Sequence, residues 1–211
     1  MIRRVKYPRT PHLPWSPGAT SDDKILYDLS AFQGRHVVVT EKMDGENTTC
    51  YPDGYLHARS PDGGDHPSRA WAKRFWAERA HLLPEGWRLC AENLAAVHSI
   101  RYERLPGYLL GLSIWTADDL CLSWDDTRRW FDTLGVPHPP LLFEGPFDRR
   151  AIETLHLPHR DDATREGYVV RLADAFLMDA FGKSVAKYVR RGHVQTDQHW
   201  MHGAWTPNGL A

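Results

Sequence analysis

The chain has 211 residues, of which 42% are hydrophobic and 25% charged, and a net charge of −1; this profile suits a soluble globular body and excludes a disordered or low-complexity chain. No apolar run approaches the roughly 20 residues of a membrane span, and the basic, proline-rich start lacks a signal-peptide hydrophobic region, so cytoplasmic residence without a membrane partner is expected. Cys50, Cys90 and Cys121 are odd in number and unclustered, which excludes a disulfide framework and a zinc ribbon.

In chain order, Pro8, Pro11, Pro14, Pro17 and Gly18 predict an extended, irregular arm, residues 1–36, packed on the body of the domain. Residues 37–41 read as a buried strand, and 48–51 with 55–58 as a hairpin around Pro52-Asp53-Gly54. Residues 60–65 form a loop. Ser68 is predicted to cap a helix to about His81, with Trp71 and Phe75 on one face. Residues 87–93 and 108–115 come next as strands. Asp125 or Asp126 opens a helix that carries Trp130, Phe131 and Leu134 and ends at Gly135. A short helix spans 148–156, and strands 167–172 and 185–189 flank residues 176–181. Many strands with few helices predict an α+β fold with a mixed or antiparallel sheet, not a doubly wound one. Residues 37–190 would be the body and 191–211 a tail, with no separate C-terminal domain.

Charge is unevenly placed. Arg3, Arg4, Lys6 and Arg9 open the chain without an acid among them, and Lys183, Lys187, Arg190 and Arg191 lie in a second acid-free stretch. Two such clusters on a neutral body suit a small phosphate footprint.

Chemistry concentrates in five segments. Glu41-Lys42-Met43-Asp44-Gly45-Glu46-Asn47 succeeds the apolar run Val37-Val38-Val39 and contains Lys-x-Asp-Gly. After it come His57-Ala58-Arg59-Ser60, Leu89-Cys90-Ala91-Glu92-Asn93, Glu166-Gly167-Tyr168-Val169-Val170-Arg171 and Val185-Ala186-Lys187-Tyr188-Val189-Arg190. A lone Lys-x-Asp-Gly recurs by chance; lysine, arginine, glutamate, glutamate and lysine in this order do not. The series resembles the active-site motifs of the covalent nucleotidyltransferases, which include ATP-dependent DNA and RNA ligases and capping enzymes.

That resemblance implies a role for each residue. Lys42 would be the nucleophile that accepts AMP from ATP, which requires a deprotonated amine, its pKa lowered by burial beside an apolar strand or by Lys187. Glu41 would lie near the adenine edge, and Arg59 would contact the nucleotide phosphate or the end being sealed. Glu92 would hold the ribose or share the metal, Mg2+ or Mn2+, with Glu166, since hard cations take carboxylate oxygens. Lys187 would hold the α-phosphate, with Arg171 and Lys183 as further cations. The family's last motif usually has a second lysine; here Arg190 or Lys183 would substitute. An adenine-stacking aromatic is usual near 108–115, where Leu109-Leu110-Gly111-Leu112 departs from the pattern and leaves Tyr108 as the candidate.

Asn47 makes the series look like nick-sealing RNA ligases, in which it would help recognise a 5′-phosphate end. The expected activity is therefore ATP-dependent RNA ligation of 5′-phosphate to 3′-hydroxyl ends, in RNA repair, with an end-healing kinase or phosphatase as a partner. A minimal DNA ligase, a capping-type transferase and a non-catalytic end-binding module are the alternatives. The stretch after Lys187 is too short for an oligonucleotide-binding barrel, and the arm, through His12 and Trp15, would partly replace it. His193, His199 and His202 lack acid or cysteine partners at helical spacing, so no zinc is expected there.

Overall fold

The computed structural model describes residues 2–62, 64–156, 163–192 and 205–211; the tail histidines lie outside them. Two antiparallel sheets face each other, in keeping with an α+β fold. The first contains β1 (His36–Lys42), β7 (Leu141–Pro146), β8 (Gly167–Leu172) and β10 (Val185–Val189), in the order β10-β8-β1-β7. The second contains β2 (Glu46–Cys50), β3 (Leu56–Ala58), β4 (Arg88–Asn93), β5 (Leu109–Trp115), β6 (Leu120–Cys121) and β9 (Phe176–Leu177), in the order β3-β2-β4-β5-β6-β9. Val37, Val38 and Val39 are all fully buried because β1 is covered on both faces. Val37 and Val39 pack with Val170 and Leu172 of β8. Val38 joins the cluster of Leu89, Ala91 and Ile114 that α1 (Ala70–Ala77) and α2 (Trp124–Leu134) cover with Trp76, Phe131 and Leu134.

Helix boundaries are set by capping. Ser123, not Asp125 or Asp126, caps α2 by accepting from the Asp126 amide, while both aspartates sit in the first turn against the helix dipole. Gly135, at φ 61°, closes the helix in the left-handed region as expected. The long helix predicted from Ser68 is broken instead. A 3-10 turn, Pro67–Arg69, capped by the His66 ring, precedes α1, and a second 3-10 turn, Ala80–Leu82, comes after it. Asp148 caps α3 (Arg149–Thr154), and α4 (Phe181–Ser184) is a single turn. The sequence gives little sign of β6 and β9, which are two residues each, or of β7, an edge strand just after Pro139-Pro140 that is largely exposed.

The arm runs from one sheet to the other. The Tyr7 amide donates to the Arg59 carbonyl just past β3, and the amides of Leu13 and Lys187 pair with the carbonyls of Lys187 and Pro11 on β10. His12 and Trp15 dock the arm rather than face solvent. The His12 ring is buried against Ser16 and Asp23, and the Trp15 indole donates to the Tyr168 hydroxyl at 2.8 Å. Gly18 passes so close to β10 that a Cβ would meet the Arg190 carbonyl at 2.7 Å. Half of the first basic cluster is neutralised in the same docking: Arg3 pairs with Asp119, and Arg4 pairs with Asp53 while lying over the Tyr51 and Tyr55 rings. All three cysteines are buried as free thiols. Among the described residues no helix is long and apolar enough to cross a membrane.

Candidate active site

Strand register assembles the site. Lys42, the last residue of β1, pairs with Gly167 of β8, and Val169 of β8 pairs with Lys187 of β10. In the facing sheet Asn47 of β2 pairs with Glu92 of β4. Two glycines permit this closeness. A Cβ on Gly45 would meet the Asn93 carbonyl at 2.6 Å and Glu92 Cγ at 3.1 Å, and one on Gly167 would collide with the Tyr188 carbonyl. Asp44 does more than turn the chain. Its Oδ2 accepts from the Ser99 and Ile100 amides at 2.7 and 2.8 Å, and its own amide donates to the Tyr102 hydroxyl. Asp44 thereby ties the lysine motif to the 98–102 loop, which Asn208 in turn fastens by bonds to Leu94, Ala96 and Tyr102.

Between the sheets lies a cavity of about 620 Å³, with Glu41, Lys42, Asn47, Arg59, Glu92, Arg171 and Lys187 in its lining. The volume is in the range of small-molecule sites. Lys42 Nζ donates to Glu166 Oε2 at 2.7 Å, and the Glu166 side chain is only 3% exposed. Glu41 is nearly buried, with the Arg165 guanidinium 3.8 Å away. Arg59 Nε reaches the Tyr7 carbonyl at 3.4 Å. The Asn47 Oδ1 atom is buried on the cavity wall and has no hydrogen-bond partner among the described residues. Such an orphaned acceptor is costly unless something enters to satisfy it or the amide turns its donor to a ligand.

The electrostatics reverse one expectation. Burial pulls the Lys42 amine down, but Glu166, Glu92 and Asp44 together outweigh it, and its pKa is raised rather than depressed. It is Lys187 whose pKa falls: burial, then the neighbouring Lys42 charge, lowers it. Burial first, with Glu166 and Asp44 adding, pushes the Glu92 carboxyl up to about 7 against the pull of Lys42. The pocket thus carries more carboxylate than its lysines balance.

Four expected participants lie differently. Tyr108, one residue before β5, is outside the cavity lining: its hydroxyl donates to the Asn208 carbonyl at 2.8 Å and its ring meets Trp71 edge-on. The β5 residues on the cavity are Gly111, Leu112, Ser113 and Trp115, and Trp115 is fully buried. Lys183 is exposed on α4, away from the lining. The Arg190 guanidinium is taken up by the carbonyls of Arg165, Ala163, Arg191 and Gly192, because burial at the end of β10 leaves backbone oxygens as its partners. Arg171 does line the cavity, but its Nε and NH2 donate to the Leu172 and Leu122 carbonyls.

Sequence reasoning missed three contributors. Tyr7 of the arm and His98 of the loop both line the cavity. Arg69 also lines it and forms a bidentate pair with Glu46 at 2.5 Å, both side chains largely buried. Glu46 stood in the lysine motif and could have been noticed; nothing local marks Arg69 or Tyr7.

Among the described residues no group of three His, Cys, Asp or Glu side chains is arranged to hold a metal. The nearest fit is half-buried Glu92 with buried Glu166, whose charges repel, one or two carboxylates being what Mg2+ takes when nucleotide phosphates and water complete its shell.

Comparison with solved structures gives the same architecture. A Naegleria gruberi RNA ligase with PPi matches at 21% identity and TM-score 0.55 over 77% of this chain and 51% of that one. A variant of the same ligase with ATP and Mn matches at 20% and 0.52, over 77% and 52%. An archaeal ATP-dependent RNA ligase matches at 17% and 0.51, over 88% and 48%. The chain therefore spans about half the length of these ligases. No curated protein matches significantly. The model of the RNA ligase family matches residues 35–189, most of the chain and all five motifs but for the final Arg190, and the chain belongs to that family.

Proposed function

We propose that this chain is an ATP-dependent RNA ligase that works through a lysyl-AMP on Lys42. The observation that carries the reading is the Lys42–Glu166 contact at 2.7 Å on the wall of a nucleotide-sized cavity with Arg59, Glu92 and Lys187. In the first step Nζ attacks the α-phosphorus of ATP; a P–N bond forms, the α–β P–O bond breaks, and pyrophosphate and a proton leave. A 5′-phosphate oxygen then displaces the lysine, and finally a 3′-hydroxyl attacks that phosphate and expels AMP. Lys187 and Arg59 supply positive charge where the phosphates would lie, which is the dominant need in phosphoryl transfer. A divalent cation, Mg2+ or Mn2+, held by Glu92 and Glu166 would supply charge neutralisation in the pocket. With that carboxylate charge offset, burial and Lys187 are left to lower Lys42 toward its reactive, neutral form. Residues 37–190 carry the chemistry in this reading, with arm 1–36 as one wall. The substrate would be broken RNA whose ends a kinase or phosphatase has healed.

The test is in two parts. Labelled ATP, but not GTP, should give a covalent protein–nucleotide adduct that is stable to alkali and labile to acid, as a P–N bond is. Matched nicked, gapped and single-stranded substrates with RNA or DNA on either side should then be sealed best with RNA. A GTP adduct would point to capping chemistry, and sealing of DNA alone to a DNA ligase.

Asn47 separates nucleotide chemistry from end recognition. If its Nδ2 donates to the 5′-phosphate, Asn47→Ala loses a hydrogen bond worth about 1.5–3 kcal/mol, or roughly one to two orders of magnitude in sealing rate. AMP loading should be unchanged, and pre-adenylated Asn47→Ala should still seal slowly. An equal loss in both half-reactions would assign Asn47 to the nucleotide pocket instead.

Glu92 gives a pH signature. Its folded pKa of about 7 lies above the ordinary glutamate value of 4.5, so between those values the folded chain holds a proton that the unfolded chain has lost. Stability therefore falls as pH rises across that window, and the deficit is complete above about 7. Glu92→Gln should be more stable than wild type at pH 8, by about 1–2 kcal/mol, with the gap closing at pH 5. Manganese should raise the wild-type melting temperature more at pH 8 than at pH 6. Thermal denaturation across this range checks both.

A further inference from the structure

β3 and β10 are edge strands of the two sheets that enclose the cavity, and the arm spans from one to the other. At one end Tyr7 and Arg59 exchange contacts, amide to carbonyl at 3.3 Å and guanidinium to carbonyl at 3.4 Å. At the other, Pro11 and Leu13 pair with Lys187 at 2.9 and 2.7 Å. Tyr7, Pro8, Arg9 and Thr10 line the cavity between these two moorings.

The cavity is polar near Lys42, Glu92 and Lys187 and apolar near Trp115, Phe176 and Phe181. A nucleotide whose α-phosphate faces Lys42 would direct its base into the apolar end. Tyr7 lies there, its ring edge-on to Phe181 at 5.4 Å. Among the described residues the other phenyl and indole rings of the lining, Trp115, Trp124, Phe176 and Phe181, are sealed in the core, whereas Tyr7 is half-buried. Its hydroxyl meets no hydrogen-bond partner among those residues, although burial, with nearby Cys90 and Cys121, shifts its pKa upward. Arg171, another polar group at this end, already turns its Nε and Nη2 to carbonyls. Neither Tyr108 nor any β5 residue offers an open ring.

We infer that the arm is a strap across the nucleotide cleft and that Tyr7, through its ring and unpaired hydroxyl, binds the base of the incoming nucleotide and sets its selectivity. The inference rests on the lysyl-AMP reading above and deepens it.

The experiment measures the rate of AMP loading against ATP and GTP concentration for wild type, Tyr7→Phe and Tyr7→Ala. Tyr7→Phe keeps the ring and removes one hydrogen bond, so half-saturating ATP should rise about three- to tenfold at an unchanged maximal rate. Tyr7→Ala should raise it more than tenfold and narrow the preference of ATP over GTP, with the same maximal rate. A fall in maximal rate with half-saturating ATP and base preference unchanged would reduce Tyr7 to a strap residue and overturn its role at the base. Unchanged kinetics in both variants would overturn it as well. Failure of wild type to load AMP on Lys42 would be a different result, sinking the lysyl-AMP reading itself.

Discussion

Lys42→Ala is expected to abolish AMP loading completely. Intact mass after incubation with ATP and manganese should show one added adenylate on the wild type and none on the variant. The size of the effect comes from the chemistry, because the variant lacks the nitrogen that attacks the α-phosphorus. Lys187 is the alternative amine, but its backbone is fixed by both the arm and β8, and its expected place is on the phosphates. Loss of Lys42 should also lower the melting temperature, because it leaves the buried Glu166 carboxylate without its partner. Adenylated Lys42→Ala would falsify the assignment of the nucleophile. The pH profile carries a second expectation. The free amine is held protonated by Glu166, Glu92 and Asp44, so loading should accelerate with rising pH, and the inflection should move to lower pH as manganese is increased.

Glu166→Gln should slow AMP loading by about two orders of magnitude or more, the scale of one essential charged group lost in phosphoryl transfer. The amide keeps the shape and can still accept from Lys42 Nζ, and Glu92 and Asp44 remain as counter-charges, so the melting temperature should change little. The direction of the lysine shift makes this informative. Glu166 is the largest of the groups that raise Lys42, so removing its charge makes the amine easier to deprotonate. A rate that falls nevertheless, while its pH inflection moves lower, would mean that Glu166 serves the cation or the phosphate and not merely the lysine. A rate equal to wild type would sink the metal role.

Much of this site is legible in the chain itself. The apolar run 37–39 before Lys42 pointed to a buried strand, because three consecutive β-branched valines favour a strand over a helix, and all three are buried in β1. The motif order brought Lys42, Arg59, Glu92, Glu166 and Lys187 into one reading; the structure brings Lys42, Arg59, Glu92 and Lys187 to one cavity, with Glu166 joined to it through Lys42 rather than lining it. Alternation along a strand cannot, however, say which face meets which neighbour. Tyr108 stands beside β5 yet turns to Trp71 and the Asn208 carbonyl, while Tyr7, from a proline-rich arm with no periodicity, enters the cavity. Arg190 looked like a free cation, but its position at the end of β10 gives its guanidinium to backbone carbonyls. The sign of the Lys42 shift was equally out of reach. Sequence supplied the burial and the neighbouring lysine, but the carboxylate that decides the balance lies 124 residues away and 2.7 Å distant. Local pattern determines which elements form and which residues share a strand face. Charge balance, hydrogen-bond partners and the course of the arm between β3 and β10 depend on distances that only the folded chain sets.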